Sequence, residues 1–339
     1  MSRQRILIKY IASRIALAPL MIWLIASMVF FLLRIAPGDP VDAILGNRAD
    51  QSAREALRAK LGLDVSLINQ YINFLIDILH GNLGETLNTQ EPVRELISQT
   101  LPASLELGIG ALIIASIIGG IIGFSGIAKP EGKTDLLGRI FGISTYAIAP
   151  FWAAMVLQII FAVLLGWFPI GGRFPPGLSV PEGSGFIILD SFLQGNWAAF
   201  KGGLYHLFLP ATTLGLLLSG IFSRSLRMSL GETLKTDYVE AAKSRGITKS
   251  RIVLLHALPN ALIPVLTIAG LTIASLVGGA LLIEVTFSWP GIALKLQEAI
   301  NQRDYPLVQG IVIVVANLVV ITSIVIDLLI AILDPRVKY

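Results

Sequence analysis

The stretch Asp237-Tyr-Val-Glu-Ala-Ala-Lys-Ser-Arg-Gly246 is polar and helix-patterned, and it continues as a basic segment to Asn260 between two long apolar runs. The chain has 339 residues, of which 54% are hydrophobic and only 14% are charged. So apolar a chain has little reason to carry such a loop unless a soluble partner docks on it. Ala241 and Ala242 have small side chains. Another protein surface could therefore come close to the face of the stretch on which they lie.

We call the polar segment from Asp237 to Asn260 the docking loop. Its local pattern predicts two short helices. Asp237 is the expected N-cap of the first helix, and Glu240 completes a capping box three residues later. Gly246 is the expected C-terminal stop, because glycine enters the left-handed conformation freely. Thr248 is expected to cap the second helix, which should end before Pro259.

The apolar runs around the loop predict an integral membrane protein. Soluble chains carry about 25% charged residues, so the low charge of this chain indicates extensive contact with lipid. A helix needs about 20 apolar residues to cross a bilayer. Six segments meet this length: Ile11–Leu33, Leu105–Phe124, Ile140–Leu165, Leu207–Leu226, Ala261–Ile283 and Leu307–Leu333. The predicted fold class is all-α, with six transmembrane helices, and the first is expected to stay in place as a signal anchor.

The distribution of Lys and Arg predicts the orientation. Sixteen of the 26 basic residues fall on one side when the N-terminus is placed in the cytoplasm, and six spans return the C-terminus there. Helix-forming patterns at Ala53–Lys60 and Ile68–Leu79 predict a small helical cap on the outer surface, whereas Gly166–His206 should be irregular. The chain divides into residues 1–33 (N-terminal segment and first span), 34–104 (outer helical loop), 105–333 (five-helix core with the cytoplasmic loop at 229–259) and 334–339 (cytoplasmic tail).

Several kinds of chemistry find no support in the sequence. The absence of Cys and the scatter of the three His argue against a metal site. Gly126–Thr134 resembles a P-loop, but five residues separate its glycines where four are required, so we predict that this chain binds no ATP. No nucleophile–base constellation indicates an enzyme, and the aromatic residues do not interleave with basic residues as nucleic-acid binding would require.

Three acidic residues lie within or beside the predicted spans: Glu106, Glu284 and Asp327. A charge at the bilayer centre costs about 2.5–3.5 kcal/mol on insertion scales, so each residue needs a reason to be there. Either they line a polar path between helices, or they bond to nearby backbone or basic groups and hold the bundle together. The sequence leaves both readings open.

The docking loop resembles the EAA loop of permeases in binding-protein-dependent ABC importers. The resemblance rests on Glu240-Ala-Ala242, Gly246 and Leu258-Pro259, with His256 in the place of a more general Ile. His-Ala-Leu at that position is typical of the peptide/nickel branch, and the chain looks most like its first permease subunit. Other segments resemble the same branch: Pro37-Gly-Asp-Pro40, Gly81-Asn-Leu-Gly84, Leu101-Pro-Ala-Ser-Leu-Glu-Leu107, Phe287-Ser-Trp-Pro-Gly291, Arg303-Asp-Tyr-Pro306 and Asp334-Pro-Arg336.

The resemblance implies the type I importer permease fold in a bacterial cytoplasmic (inner) membrane, with di- or oligopeptides as cargo. It implies a second homologous permease subunit, two ATP-binding subunits that hold ATP and Mg²⁺, and an extracytoplasmic solute-binding protein. This chain itself would bind no cofactor. The coupling helix at 238–246 would lie in a cleft of an ATPase subunit. The coupling residues implied are Tyr238, Glu240, Ala241, Ala242, Gly246, His256, Leu258 and Pro259.

Two alternatives remain at this point. The same machine could import a nickel chelate, glutathione or another small cationic solute, because the binding protein usually selects the cargo. A protein of a different class, a secondary transporter or channel that acts alone, would favour inverted repeats or broken spans, and the sequence shows neither. The docking loop would then have no purpose.

Overall fold

The structure, a computed structural model, describes residues 3–35, 50–60, 62–128 and 132–333, and the single positions 41 and 45. The motifs at 37–40 and 334–336 therefore lie outside the described residues, as does part of the P-loop-like segment. The helices are α1 (Arg3–Ile35), α2 (Gln51–Lys60), α3 (Leu67–Leu79), α4 (Val93–Ala128), α5 (Lys133–Ala147), α6 (Pro150–Leu157), α7 (Ile187–Leu193), α8 (Trp197–Thr233), α9 (Asp237–Ser244), α10 (Leu258–Gly279), α11 (Leu281–Thr286), α12 (Ile292–Gln302) and α13 (Tyr305–Leu333).

Among the described residues, five continuous helical segments are long and apolar enough to cross a membrane, and α5 with α6 forms a bent pair that can supply a sixth crossing. The predicted all-α membrane fold is confirmed, but two predicted spans are too short. α4 begins at Val93 rather than Leu105, and α8 begins at Trp197 rather than Leu207. The additional turns are more polar than the apolar runs, so hydropathy alone does not reveal them.

The centre of the fold is a long parallel contact between α4 and α8. A Cβ atom at Gly119 would lie 2.7 Å from the Cβ of Phe222, and one at Gly215 would lie 2.7 Å from the carbonyl oxygen of Ala111. Small residues on both helices therefore let the two backbones approach closely. The Gly119–Gly123 segment is therefore a packing face of α4.

The third predicted span, Ile140–Leu165, is broken, which corrects the interpretation that the sequence contains no broken span. α5 and α6 meet at an angle of 103°, and Pro150 is the first residue of α6. Ile148 and Ala149 between them are extended, with ψ values of 127° and 130°. The ring of a proline disfavours the helical conformation of the residue before it, so the chain turns here and a new helix starts.

A π-helical segment, Gln158–Leu164, continues α6. Gln158 donates from Nε2 to the carbonyl oxygens of Ile170 at 2.7 Å and Thr286 at 2.9 Å. The second half of the broken span is therefore tied to the outer loop that follows it and to α11.

The fifth span begins earlier than predicted. One helical turn, Lys249–Arg251, passes into a π-helical segment, Ile252–Ala257, and then directly into α10. The prediction that this helix ends before Pro259 is wrong. Pro259 is the second residue of α10, so its missing N–H falls where the hydrogen-bond register changes from π to α.

The two helices predicted for the first long loop are present as α2 and α3, and their placement on the outer side stays a prediction. Ser66 caps α3 by accepting from the backbone N–H of Asn69. Tyr71 and Phe74 of α3 pack on Phe30 of α1, and their ring centroids lie 5.3 and 5.2 Å, respectively, from the ring centroid of Phe30. The second outer loop is irregular only as far as residue 186, because α7 and the first turns of α8 occupy much of the remainder.

Candidate coupling surface and polar core

The N-cap of α9 lies one residue before its predicted position, Asp237. Thr236 holds the N-cap conformation, with φ −79° and ψ 152°, and no side chain bonds to the helix terminus. Asp237 and Glu240 both lie in the first turn, so the predicted capping box is wrong. Both carboxylates still favour the helix, because negative charge near an N-terminus interacts well with the helix dipole.

The C-terminal end of α9 is the predicted glycine stop. Gly246 has φ +74° and donates to the carbonyl oxygen of Lys243 at 2.9 Å. The N–H of Ile247 reaches back to the carbonyl oxygen of Ala242 at 3.3 Å. These two bonds form a Schellman motif, which requires a left-handed residue at the position of Gly246. No neighbour lies within 4 Å of a Cβ built there, so backbone conformation alone selects the glycine.

One face of α9 packs against the membrane body. Val239 is fully buried, and Ala242 and Ile252 are buried beside it. The Tyr238 hydroxyl accepts a hydrogen bond from Nδ2 of Asn260 at 3.0 Å, across to α10. These contacts hold α9 against the start of the fifth span.

The opposite face of α9 is open. Glu240, Ala241, Lys243 and Gly246 are exposed. The prediction that both alanines share this open face is wrong for Ala242, which points into the protein. Adjacent positions on a helix lie about 100° apart, so two neighbouring alanines need not belong to one face.

The remaining predicted coupling residues lie where the loop joins α10. His256 is exposed in the π-helical segment, and Pro259 is exposed one turn later. Leu258 is half-buried against a cluster that includes Leu226 and Leu230 of α8. The structure thus brings the predicted coupling residues to one end of the bundle, and their coupling role stays a prediction.

Glu284 is the centre of a polar core between α4 and the segment after the fifth span. Its side chain is fully buried. One carboxylate oxygen accepts from the Ser104 hydroxyl, and the other accepts from the N–H of Leu294 at 2.8 Å. Ser104 in turn accepts from the N–H of Ile292 at 2.8 Å. A side chain at Gly291 would overlap the carboxylate, so glycine is required there by close approach.

Glu106 organises the second outer loop. Arg173 donates to one of its carboxylate oxygens at 2.7 and 3.1 Å, and also donates to the carbonyl oxygen of Gly185 at 2.7 Å. The other oxygen accepts from the N–H of Ile188 at 2.9 Å, in the first turn of α7. Both groups of the pair are almost entirely buried, so the pair is shielded from water.

Asp327 lies near the C-terminal end of α13 and faces α1. Its Oδ2 is 3.2 Å from Nε of Arg14. All three acidic residues are thus engaged by the protein in this conformation, as expected if they hold the bundle together. Their role as lining of a transport path stays a prediction.

Sequence reasoning missed a buried charged cluster that joins α5 to α8. Asp135 of α5 is buried and contacts Arg139 at 2.6 Å and Arg227 of α8 at 3.1 Å. Gly138 and Gly126 leave room for the Arg227 guanidinium between α4 and α5. An acid within a basic inner segment was a signal that could have identified this pair.

Two of the quoted motifs, Gly81–Gly84 and Arg303–Pro306, meet in the structure although they lie far apart in the sequence. Asp304 accepts from the N–H of Leu87 at 2.9 Å and from that of Leu307 at 3.2 Å, at the start of α13. A Cβ at Gly84 would lie 3.6 Å from Cβ of Pro306. Burial raises the pKa of the Asp304 carboxyl, and its N–H donors oppose this shift.

Within the described ranges, no group of three or more His, Asp or Glu side chains is arranged to hold a metal ion. The features that the structure assembles are a half-buried helix at one end of a helical bundle, a buried polar core and a helical cap at the other end.

Known proteins resemble this chain over nearly its whole length. It is 36% identical to the di/tripeptide transport system permease protein of Pseudomonas aeruginosa, and the match covers 98% of this chain and 99% of the relative. It is 38% identical to the dipeptide transport system permease protein of Alkalihalophilus pseudofirmus, over 92% of this chain and 94% of the relative. The probable D,D-dipeptide transport system permease protein of Escherichia coli is 37% identical to this chain, over 91% of this chain and 92% of the relative.

Two family matches divide the chain between them. Residues 7–108 match the N-terminal region of membrane components of binding-protein-dependent transport systems. Residues 111–339 match the inner membrane component of such systems, and this range contains α9 and Glu284. The chain therefore belongs to the family of inner membrane components of binding-protein-dependent transport systems.

Proposed function

We propose that this chain is the permease subunit of an ATP-driven importer for di- and oligopeptides, and that it forms half of the translocation path. Family membership supports the transport role, and the dipeptide transport names of the relatives support the cargo. The observation that carries the coupling role is α9, a helix that packs on the membrane body with one face and leaves the other free.

The contacts of α9 suggest how it transmits force. Residues 234–236 join it directly to α8, and the cluster of Val239, Ala242 and Ile252 joins it to the fifth span. Displacement of α9 by a partner would therefore tilt two membrane helices together. Closure of the ATPase pair would bias the bundle toward a state open to the outside, as a partner biases any two-state element. The exposed Glu240 would supply the charged contact to the ATPase.

The proposal includes the partners implied by the motifs. A second homologous permease completes the path, two ATP-binding subunits hold ATP and Mg²⁺, and an extracytoplasmic binding protein delivers the peptide. This chain holds no cofactor, and both of its termini lie in the cytoplasm. The outer cap of α2 and α3 is on the side where the binding protein would dock. A nickel chelate or glutathione as cargo is an alternative within the same machine, and peptide names among the relatives favour peptides.

The coupling role is tested by Glu240→Lys and Gly246→Asp in the assembled transporter in proteoliposomes. Glu240→Lys reverses an exposed charge, and Gly246→Asp strains the Schellman motif, since left-handed backbone costs a non-glycine residue roughly 1–2 kcal/mol. We expect both variants to insert and assemble, to hydrolyse ATP, and to lose uptake.

The matched control is Glu182→Lys, the same charge change at an exposed position of the second outer loop. It should retain both ATP hydrolysis and uptake. Coupled uptake at the wild-type rate in both α9 variants would contradict the assignment.

A further inference from the structure

Two cavities flank the inner half of α8 and share the same side chains. One, of about 770 Å³, lies between α5 and α8, and the other, of about 380 Å³, lies between α8 and α10. Both are lined by Arg224, Met228 and Glu232. These positions are four residues apart and therefore form a stripe along one face of the helix. Both volumes fall within or close to the range of about 300–1,000 Å³ found for small-molecule sites.

The two charges of this α8 stripe are not neutralised by the chain. Neither Arg224 nor Glu232 forms an ion pair within the part of the chain that the structure describes. Arg227, on the neighbouring face of α8, is paired with the buried Asp135. Arg227 thus has an ion-pair partner within the bundle, whereas Arg224 has no ion-pair partner among the described residues.

The depth of Arg224 indicates what the stripe faces. It lies within the predicted span Leu207–Leu226, two residues from the end of that span, and its side chain is exposed. An ionised group within a membrane segment is costly against lipid and normally faces the bundle interior or a water-filled cavity. The stripe therefore faces water in the assembled protein.

The residue types of the stripe match a zwitterionic peptide. Arg224 can bind a carboxylate through two parallel hydrogen bonds, and Glu232 can bind an ammonium group. Met228 between them is 57% exposed and has a flexible, polarisable side chain that adapts to different partners. The larger cavity is also lined by Lys235, and by Arg139 and Arg227, which are both paired with Asp135. Glu232 is the acidic residue of this lining and supplies the position for an ammonium group, whereas an anionic lipid headgroup would use only the cations.

We propose that the α8 stripe of Arg224, Met228 and Glu232 lines the inner half of the path and passes peptides between a carboxylate-binding and an ammonium-binding position. This inference rests on the proposed function. Gly231, beside the stripe, supports this proposal. A Cβ built there would meet no atom within 4 Å, so packing does not require glycine at this position. Its lack of a side chain keeps the larger cavity open.

The absence of cysteine from this chain allows a direct test with Met228→Cys. Inside-out vesicles would hold the assembled transporter with cysteine-free partners, and a charged, membrane-impermeant thiol reagent would be added outside them. We expect modification of Met228→Cys, and slower modification when a transported dipeptide is present. The control is Ile140→Cys, an exposed position of α5 that lines neither cavity and should react only with a lipid-soluble reagent.

Two other outcomes would overturn the inference. Reaction with the lipid-soluble reagent alone would place the stripe against lipid, where Arg224 reaches the headgroups. No reaction, or cross-linking to the second permease only, would make the stripe a subunit interface. If wild-type vesicles still show ATP-dependent peptide uptake in either case, the path is elsewhere and the proposed function stands. If the wild type shows no such uptake, the proposed function fails.

A steric and a charge variant provide independent readouts. Gly231→Phe should abolish uptake while the ATPase subunits stay bound, whereas Gly120→Phe on α4, also with no atom within 4 Å, should not. Arg224→Gln should slow uptake about tenfold to a hundredfold, the loss expected for a hydrogen bond to a charged group. Normal uptake in both stripe variants would contradict the inference.

Discussion

At Glu284, one buried carboxylate fixes the junction of three segments. It accepts from Ser104 on α4 and from the N–H of Leu294, and it requires glycine at position 291. The sequence showed an acid near a span end and two separate motifs, at 101–107 and 287–291. It did not show that these motifs meet, because a contact across 180 residues leaves no local signature.

Asp304 gives a residue-level prediction about pH. Burial raises its pKa, so the folded chain keeps this proton over a range in which the unfolded chain, with a pKa of about 3.9, has lost it. Its contribution to stability is full at low pH and is lost as pH rises through the folded-state pKa. We expect the apparent Tm of the purified protein to fall over this window, and to fall less in Asp304→Asn.

The measurement is thermal unfolding in detergent as a function of pH, followed by tryptophan fluorescence. Glu182→Gln, at an exposed site, serves as the control and should follow the wild type. Identical pH dependence in Asp304→Asn and the wild type would show that Asp304 carries none of it.

At the scale of single elements, the sequence predicted the C-terminal end of α9 correctly and misplaced its N-cap by one residue. The glycine stop is set by backbone conformation, which a sequence shows directly, and Gly246 is where it was expected. The N-cap was placed one residue too late because Thr236 and Asp237 are both good caps, and the tertiary packing of Val239 decides between them. The break between α5 and α6 was not predicted, because a proline alone does not show whether a span bends or stops, and the extended backbone of Ile148 and Ala149 is seen only in the structure.

The orientation of α9 can be tested with two neighbouring substitutions. Ala242→Leu adds volume to a buried position, which typically costs 1–3 kcal/mol. Ala241→Leu adds the same volume to an exposed position and should leave the free energy of unfolding within about 0.5 kcal/mol. We expect a lowered Tm only for Ala242→Leu, and weakened retention of ATPase subunits on purification for Ala241→Leu with Tm unchanged. Equal effects of the two variants on Tm would contradict the orientation.

At the scale of the whole molecule, composition and span length were sufficient to predict the all-α membrane fold. They could not show which helices pack together. Gly119 and Gly215 bring α4 and α8 into contact, and the Asp135–Arg227 pair joins α5 to α8. α8 therefore connects the packed interior to the loop that ends in α9, so one helix lies beside both the inner cavities and the coupling surface.

The most direct test of the account uses Ala241→Cys with a thiol-linked photo-cross-linker in the assembled, cysteine-free transporter during ATP-driven uptake. The predicted product joins this chain to an ATPase subunit, whereas the same probe at Glu182→Cys on the outer loop should form no such product. Adducts of Ala241→Cys with lipid alone, or no adduct at all, while uptake proceeds would contradict the claim that α9 couples the membrane bundle to a separate ATPase.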